Sequence, residues 1–120
     1  VVYGRSKLAN IHFTQELARR WPDVAVNALH PGTVVSGFGR DGDTAGLSAR
    51  LLAAAPLVAV QPTAGAATSV FLATADEGRR ITGRYWVRRR VGHPSVWARD
   101  RAADERLWAA SEDLVAAHPA

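Results

Sequence analysis

A chain of 120 residues builds one domain at most, and an apolar content of 48% with 22% charged residues is that of an ordinary globular protein. The net charge of +4 rests on arginines spread along the chain, apart from Arg88-Arg89-Arg90. With no zinc-finger spacing and no RNA-binding aromatic signature beside them, it reads as an arginine preference rather than nucleic-acid binding. Cysteine is absent, which excludes disulfides and thiol catalysis, and the longest apolar run, residues 51–60, is broken by Pro56 and too short to span a bilayer.

The chain opens on Val1, contains no Met and shows no signal-peptide pattern, so it reads as a piece of a longer, cytoplasmic polypeptide. Residues 1–20 predict a helix. Leu8, Ile11, Leu17 and Ala18 supply an apolar stripe that Ala9 and Phe13 widen. Arg19 and Arg20 suit a helix C-terminus, and Pro22 ends the pattern because the residue before proline disfavours the α region. His12, inside this helix, reads as a packing or surface histidine.

Within the same helix Tyr3 and Lys7 stand at i and i+4, on one face. A tyrosine hydroxyl, ordinarily with a pKa near ~10, is a poor acid or base at neutral pH. A neighbouring cation favours the phenolate and makes such a group a plausible proton donor and acceptor for a carbonyl/alcohol pair. Lys7 is the only lysine of the chain, and a compact ammonium is not interchangeable with a guanidinium at a tight site.

Residues 24–29, Val-Ala-Val-Asn-Ala-Leu, fit a short buried parallel strand, broken by His30-Pro31-Gly32. Ligands of open α/β sheets bind outside the carboxyl ends of strands, and a Pro-Gly turn there lets backbone approach a ligand closely. Residues 37–46 are rich in glycine and aspartate and read as a flexible loop. Residues 47–60 read as a short apolar helix interrupted at Pro56, whose Leu51, Leu52 and Leu57 would pack on the core. Pro62 opens a further helix to about residue 75, with Val70, Phe71 and Leu72 filling the core and Asp76-Glu77-Gly78 forming a turn. Residues 81–87 read as a strand, in which Tyr85, lacking a lysine at i+4, is structural. Residues 88–94 form a basic loop, solvated rather than phosphate-binding. A last helix runs from about residue 100 to 117, N-capped by Asp100, with Leu107, Trp108, Ser111, Leu114 and Val115 as its apolar stripe.

Two stretches carry a resemblance. Tyr3-Gly4-Arg5-Ser6-Lys7-Leu8-Ala9-Asn10, continuing Phe13-Thr14-Gln15-Glu16-Leu17-Ala18, resembles the active-site helix of short-chain dehydrogenases/reductases, in the branch that is retinol-dehydrogenase-like and protochlorophyllide-reductase-like. Residues 24–36, with His30-Pro31-Gly32-Thr33-Val34-Val35-Ser36, resemble that family's sixth strand and Pro-Gly loop, Ser36 standing where the family usually has Thr. The likeness extends to about Val115.

It implies an α/β fold, the C-terminal half of a doubly wound parallel-sheet (Rossmann-type) domain, in one unit over residues 1–120. It also implies reversible hydride transfer between NAD(P)(H) and a small carbonyl/alcohol substrate. Tyr3 would be the general acid/base, and Lys7 would favour its phenolate and hydrogen-bond the nicotinamide ribose. Thr33, Val34 and Ser36 would hold the nicotinamide carboxamide, and Tyr3, Pro31 and Gly32 would also border the cofactor. Asn10 is read as a packing or helix-contact residue, and His30 is given no chemical step. No metal, nucleic acid or membrane span is implied, and pairing of copies through the active-site helix is a habit of the family. The Gly-rich phosphate loop, the residue that selects NAD or NADP and the upstream catalytic serine are not in this sequence. The isolated chain is therefore expected to be poorly stable and inactive, and a non-catalytic interaction module of the same fold is the alternative.

Overall fold

The computed structural model describes residues 2–32 and 62–118. Its first element, α1 (Val2–Arg20), ends with the expected pair Arg19 and Arg20 in its last turn. One more turn is closed by the Trp21 N–H donating to Leu17 O at 2.9 Å before Pro22 stops it. The face that α1 buries differs from the apolar stripe. Ala18 is buried as expected, but His12 and Glu16 are the other deeply buried side chains, while Leu8, Ile11 and Leu17 are half-buried and Phe13 is exposed. The cause lies on the facing helix, which brings a carboxylate to this surface.

β1 (Ala28–His30) pairs in parallel with β2 (Tyr85–Val87), with Ala28 opposite Tyr85 and His30 opposite Val87. β2 pairs antiparallel with β3 (Arg90–Val91), giving the order β1-β2-β3. The two parallel strands fall where the sequence placed them but are shorter. Upstream of the regular ladder the chains still touch through irregular bonds. Gly83 N–H donates to Val26 O at 2.7 Å, Ala28 N–H to Arg84 O at 2.9 Å, and Val26 N–H to the Thr82 hydroxyl at 2.9 Å. Gly83 has φ +69, a conformation that breaks the pleat and that L side chains rarely adopt. Asn27 ties this region together. Its carbonyl accepts from Arg84 N–H and from the Trp86 indole, each at 3.1 Å, and its amide donates to Ile81 O at 2.6 Å.

Residues 88–94 are not the plain loop expected. Arg88 (φ 49) and Arg89 (φ 62) form a two-residue turn that returns the chain as β3. Positive φ at both central positions gives the twist that a tight hairpin needs, and non-glycine residues there cost roughly 1–2 kcal/mol each.

α2 (Pro62–Thr74) lies against β1, and α3 (Asp76–Arg80) lies against α2. The expected turn at Asp76-Glu77-Gly78 is helical instead. Asp76 and Glu77 occupy its first turn and Arg79 and Arg80 its last, matching the helix dipole at both ends. Gly78 permits the contact with α2, because a Cβ there would lie 2.3 Å from Leu72 O. Phe71 packs on the buried Trp86, ring centroids 5.9 Å apart. Val70 faces out, 58% exposed, rather than filling the core.

A 3₁₀ turn (Val96–Arg99) leads into α4 (Arg101–Ala117). Asp100 caps α4 as expected, its carboxylate accepting from Ala103 N–H at 3.2 Å. Leu107 and Trp108 are half-buried, but Leu114 and Val115 are exposed, since α4 runs past the end of α1's packing surface and the stripe finds no partner among the described residues. Trp108 stacks on Phe13 (centroids 5.1 Å) and carries the Arg20 guanidinium over its ring at 4.7 Å. Among the described residues the buried apolar core is Ala18, Trp86 and Ala98, with as much buried polarity beside it in His12, Glu16, Thr68 and Asp104.

Candidate active site

The first turns of α1 are solvent-exposed. Tyr3 is 61% exposed, and every residue from Val2 to Lys7 is exposed. The i,i+4 spacing places Lys7 Nζ 5.1 Å from the centroid of the Tyr3 ring, so an ammonium sits over the phenol's π face in contact distance. The Ser6 hydroxyl donates to Tyr3 O at 2.8 Å, fixing the turn between them.

At the carboxyl end of β1 the chain leaves the sheet through His30-Pro31-Gly32. Gly32 takes φ 86, and its N–H donates to His30 Nδ1 at 2.8 Å. His30, given no role from the sequence, thus holds the turn in shape. With Nδ1 accepting, a neutral ring carries its proton on Nε2.

These two segments, distant in sequence, meet around one cavity of about 660 Å³, within the range of small-molecule sites. Tyr3, Lys7, Pro31 and Gly32 all line it. Thr33, Val34 and Ser36, the loop at 37–46 and the apolar segment at 47–60 lie outside the described residues. Among the other residues that line the cavity are three polar side chains that were not assigned to it from the sequence. Asn10, read as a packing residue, is exposed and forms part of its wall. Tyr85 arrives because β2 lies beside β1 in register with Ala28. His93 arrives because β3 runs back beside β2, with Gly92 N–H donating to Tyr85 O at 2.7 Å. The i,i+4 rule could have drawn attention to Asn10 and Ile11 beside Lys7, but nothing local pointed to His93.

Behind the site, α1 is locked to α4 by buried charge. Asp104, 1% exposed, accepts from His12 Nδ1 on one oxygen and from Arg19 on the other, both at 2.5 Å. Arg19 also donates to Glu16, through Nε at 3.0 Å and Nη2 at 2.6 Å, and Arg20 donates to Glu16 at 2.7 Å. The bond from Arg19 holds the Glu16 carboxyl below its ordinary 4.5, against the opposing effect of burial and with further help from Arg20. Burial works against the Arg19 charge, but Asp104 and Glu16 outweigh it and raise its pKa. Gln15 adds a bond to Ala98 O at 3.0 Å. Among the described residues no cluster of His, Cys, Asp and Glu is arranged to hold a metal ion, and no helix is long and apolar enough to cross a membrane.

An exposed Tyr-Lys pair on a helix thus faces a turn at the carboxyl end of a parallel strand, across a cavity on a mixed α/β scaffold. No family model matches the chain. Its sequence relatives nonetheless agree. Human retinol dehydrogenase 14 is 39% identical over 116 residues, covering 94% of this chain and 34% of that protein. The putative daunorubicin C-13 ketoreductase DnrU of Streptomyces sp. (strain C5) is 39% identical, covering 94% of this chain and 38% of its own length. The WW domain-containing oxidoreductase of Drosophila melanogaster is 37% identical, covering 97% and 28%. The chain belongs to the short-chain dehydrogenase/reductase family, in its retinol-dehydrogenase-like branch, and spans about a third of the length of the curated relatives it matches.

Proposed function

We propose that this chain is the catalytic-helix portion of an oxidoreductase that moves a hydride between NAD(P)(H) and a carbonyl/alcohol substrate. The observation that carries the reading is the shared cavity, at which Tyr3, Lys7, Pro31 and Gly32 converge from two separate segments. On this reading residues 1–120 form the C-terminal part of one Rossmann-type, doubly wound domain, and the open edge of β1 is where a preceding strand would pair. A cytoplasmic, homo-oligomeric parent fits it.

The residues suit a nicotinamide. Gly32 borders the cavity with φ 86 and no side chain, so the main chain lies open to a planar amide. Thr33, Val34 and Ser36 would hold the carboxamide, Pro31 and Gly32 would border the cofactor, and Lys7 would hold the ribose. When bound, the cofactor supplies or accepts the hydride at the substrate carbon. In reduction, Tyr3 gives its hydroxyl proton to the oxygen that was the carbonyl, and the resulting phenolate is stabilised by the Lys7 ammonium beside it. In oxidation the phenolate takes the alcohol proton back. The half-buried apolar side chains of Leu8, Ile11 and Leu29 on the cavity wall favour a hydrophobic substrate body.

The 120 residues by themselves, without a phosphate-binding loop, are expected to be inactive. The test uses the natural polypeptide that carries this sequence. It should reduce carbonyl compounds with NADPH or NADH, and Tyr3→Phe should lower the rate by ~10²-fold or more while leaving cofactor binding measurable by fluorescence. Unchanged turnover in Tyr3→Phe would remove the proposal. Absence of NAD(P)(H) binding by the wild type would favour the non-catalytic module instead.

A further inference from the structure

Arg88 and Arg89 are the non-glycine residues with positive φ among those described. Asparagine and glycine fill such a turn at least cost, yet both positions hold arginine, and a third, Arg90, opens β3. The turn is held from outside, the buried Thr68 hydroxyl on α2 accepting Arg89 N–H at 3.2 Å. Backbone strain kept in place by surrounding structure clusters at ligand clamps. Two other features give it a direction. Arg19, Arg20, Arg101 and Arg106 each bond a carboxylate, while the three turn arginines, like Arg5, Arg79, Arg80, Arg84 and Arg99, do not among the described residues, and they alone of these stand three in a row. The three also border, with Phe71, a cavity of about 510 Å³, distinct from the one at Tyr3 and Lys7.

We propose that Arg88, Arg89 and Arg90 bind the phosphate group of an anionic ligand whose apolar body rests against Phe71. Guanidiniums present paired N–H donors that match phosphate oxygens. The cavity is much larger than a phosphate, leaving room for the body of the ligand. The pairing of His30 with Val87 puts the turn at the carboxyl end of the parallel strands, the edge where sheets of this class receive ligands. A soluble phosphorylated compound and an anionic lipid headgroup offer the same chemistry.

The test measures binding of inorganic pyrophosphate by calorimetry, and of phosphatidic acid vesicles by co-sedimentation, to the natural polypeptide. Arg88→Asn with Arg89→Gly supplies the residues the turn prefers, so it should raise Tm while lowering affinity tenfold or more. A purely structural role for these arginines cannot give that combination. Arg90→Gln should lower affinity by a smaller factor, and Tyr3→Phe should leave it unchanged, which separates this site from the hydride-transfer reading. Pyrophosphate binding lost in the double variant identifies a soluble ligand. Binding confined to vesicles and lost in the variant identifies a headgroup. No binding in either arm, or binding that the double variant retains, overturns the proposal.

Discussion

The two halves of α1 live in different surroundings. From Val2 to Lys7 every residue is exposed, and the pair Tyr3 and Lys7 faces a cavity. From His12 to Arg20 the same helix is fastened to α4 by a carboxylate that is 1% exposed and by two arginines that reach across or along it. A helix passes rigidity along its axis through its own hydrogen bonds, so the clamped half can aim the open half. The cost of open side chains at the reactive end is met by buried polar bonds at the other rather than by a large apolar core.

Substitutions at the two ends can break this comparison. The largest expected effect is at the front. Tyr3→Phe should cost ~10²- to 10⁴-fold in carbonyl reduction with little change in Tm, because the ring that contacts Lys7 is kept. A parallel fall in Tm would show that the front is structural too. At the rear, Asp104→Ala leaves Arg19 and His12 without their shared partner, and chemical denaturation should show a loss of about 3–5 kcal/mol. A loss below 1 kcal/mol would mean that the clamp is dispensable. Asn27→Ala, which removes three bonds tying the residue before β1 to Ile81, Arg84 and Trp86, should cost about 1–3 kcal/mol and loosen the Pro31–Gly32 side of the cavity.

Acid should act on the rear alone. Glu16 has a folded pKa below its ordinary 4.5, so its contribution is complete above that value and is lost as the pH falls through 4.5 and below. Thermal scans of Glu16→Gln should therefore show a shallower acid slope than the wild type. The smallest effect is at Trp108, whose indole N–H is buried without an acceptor among the described residues. Trp108→Phe keeps the stack on Phe13 and removes that orphan donor, and should change stability by less than about 1 kcal/mol.

What could be read in the sequence follows from range. The three long helices and the two parallel strands were visible because periodicity, Pro22, Pro62 and the Asp100 cap are local signals. So was the Tyr3–Lys7 pair, since i,i+4 is a distance a helix fixes by itself. The hairpin at Arg88-Arg89 was missed because arginine is a poor signal for positive φ, and the support that holds it, Thr68, is twenty-one residues away. His12 read as a packing or surface histidine because its partner Asp104 is on another helix. The entry of His93 and Tyr85 into the cavity likewise depends on strand pairing that no local pattern encodes. Leu114 and Val115 carried the right spacing but lie beyond the reach of α1, so periodicity overstated the core.

The central claim, that the clamp on α4 positions the reactive end of α1, is tested most directly by amide hydrogen exchange along α1 in the natural polypeptide and its Asp104→Asn variant. The account predicts faster exchange spreading from the Glu16 turn forward to the amides around Lys7 and Ile11, with carbonyl reduction falling alongside. Faster exchange confined to the turns near Arg19, with the Lys7 region and activity unchanged, would contradict it.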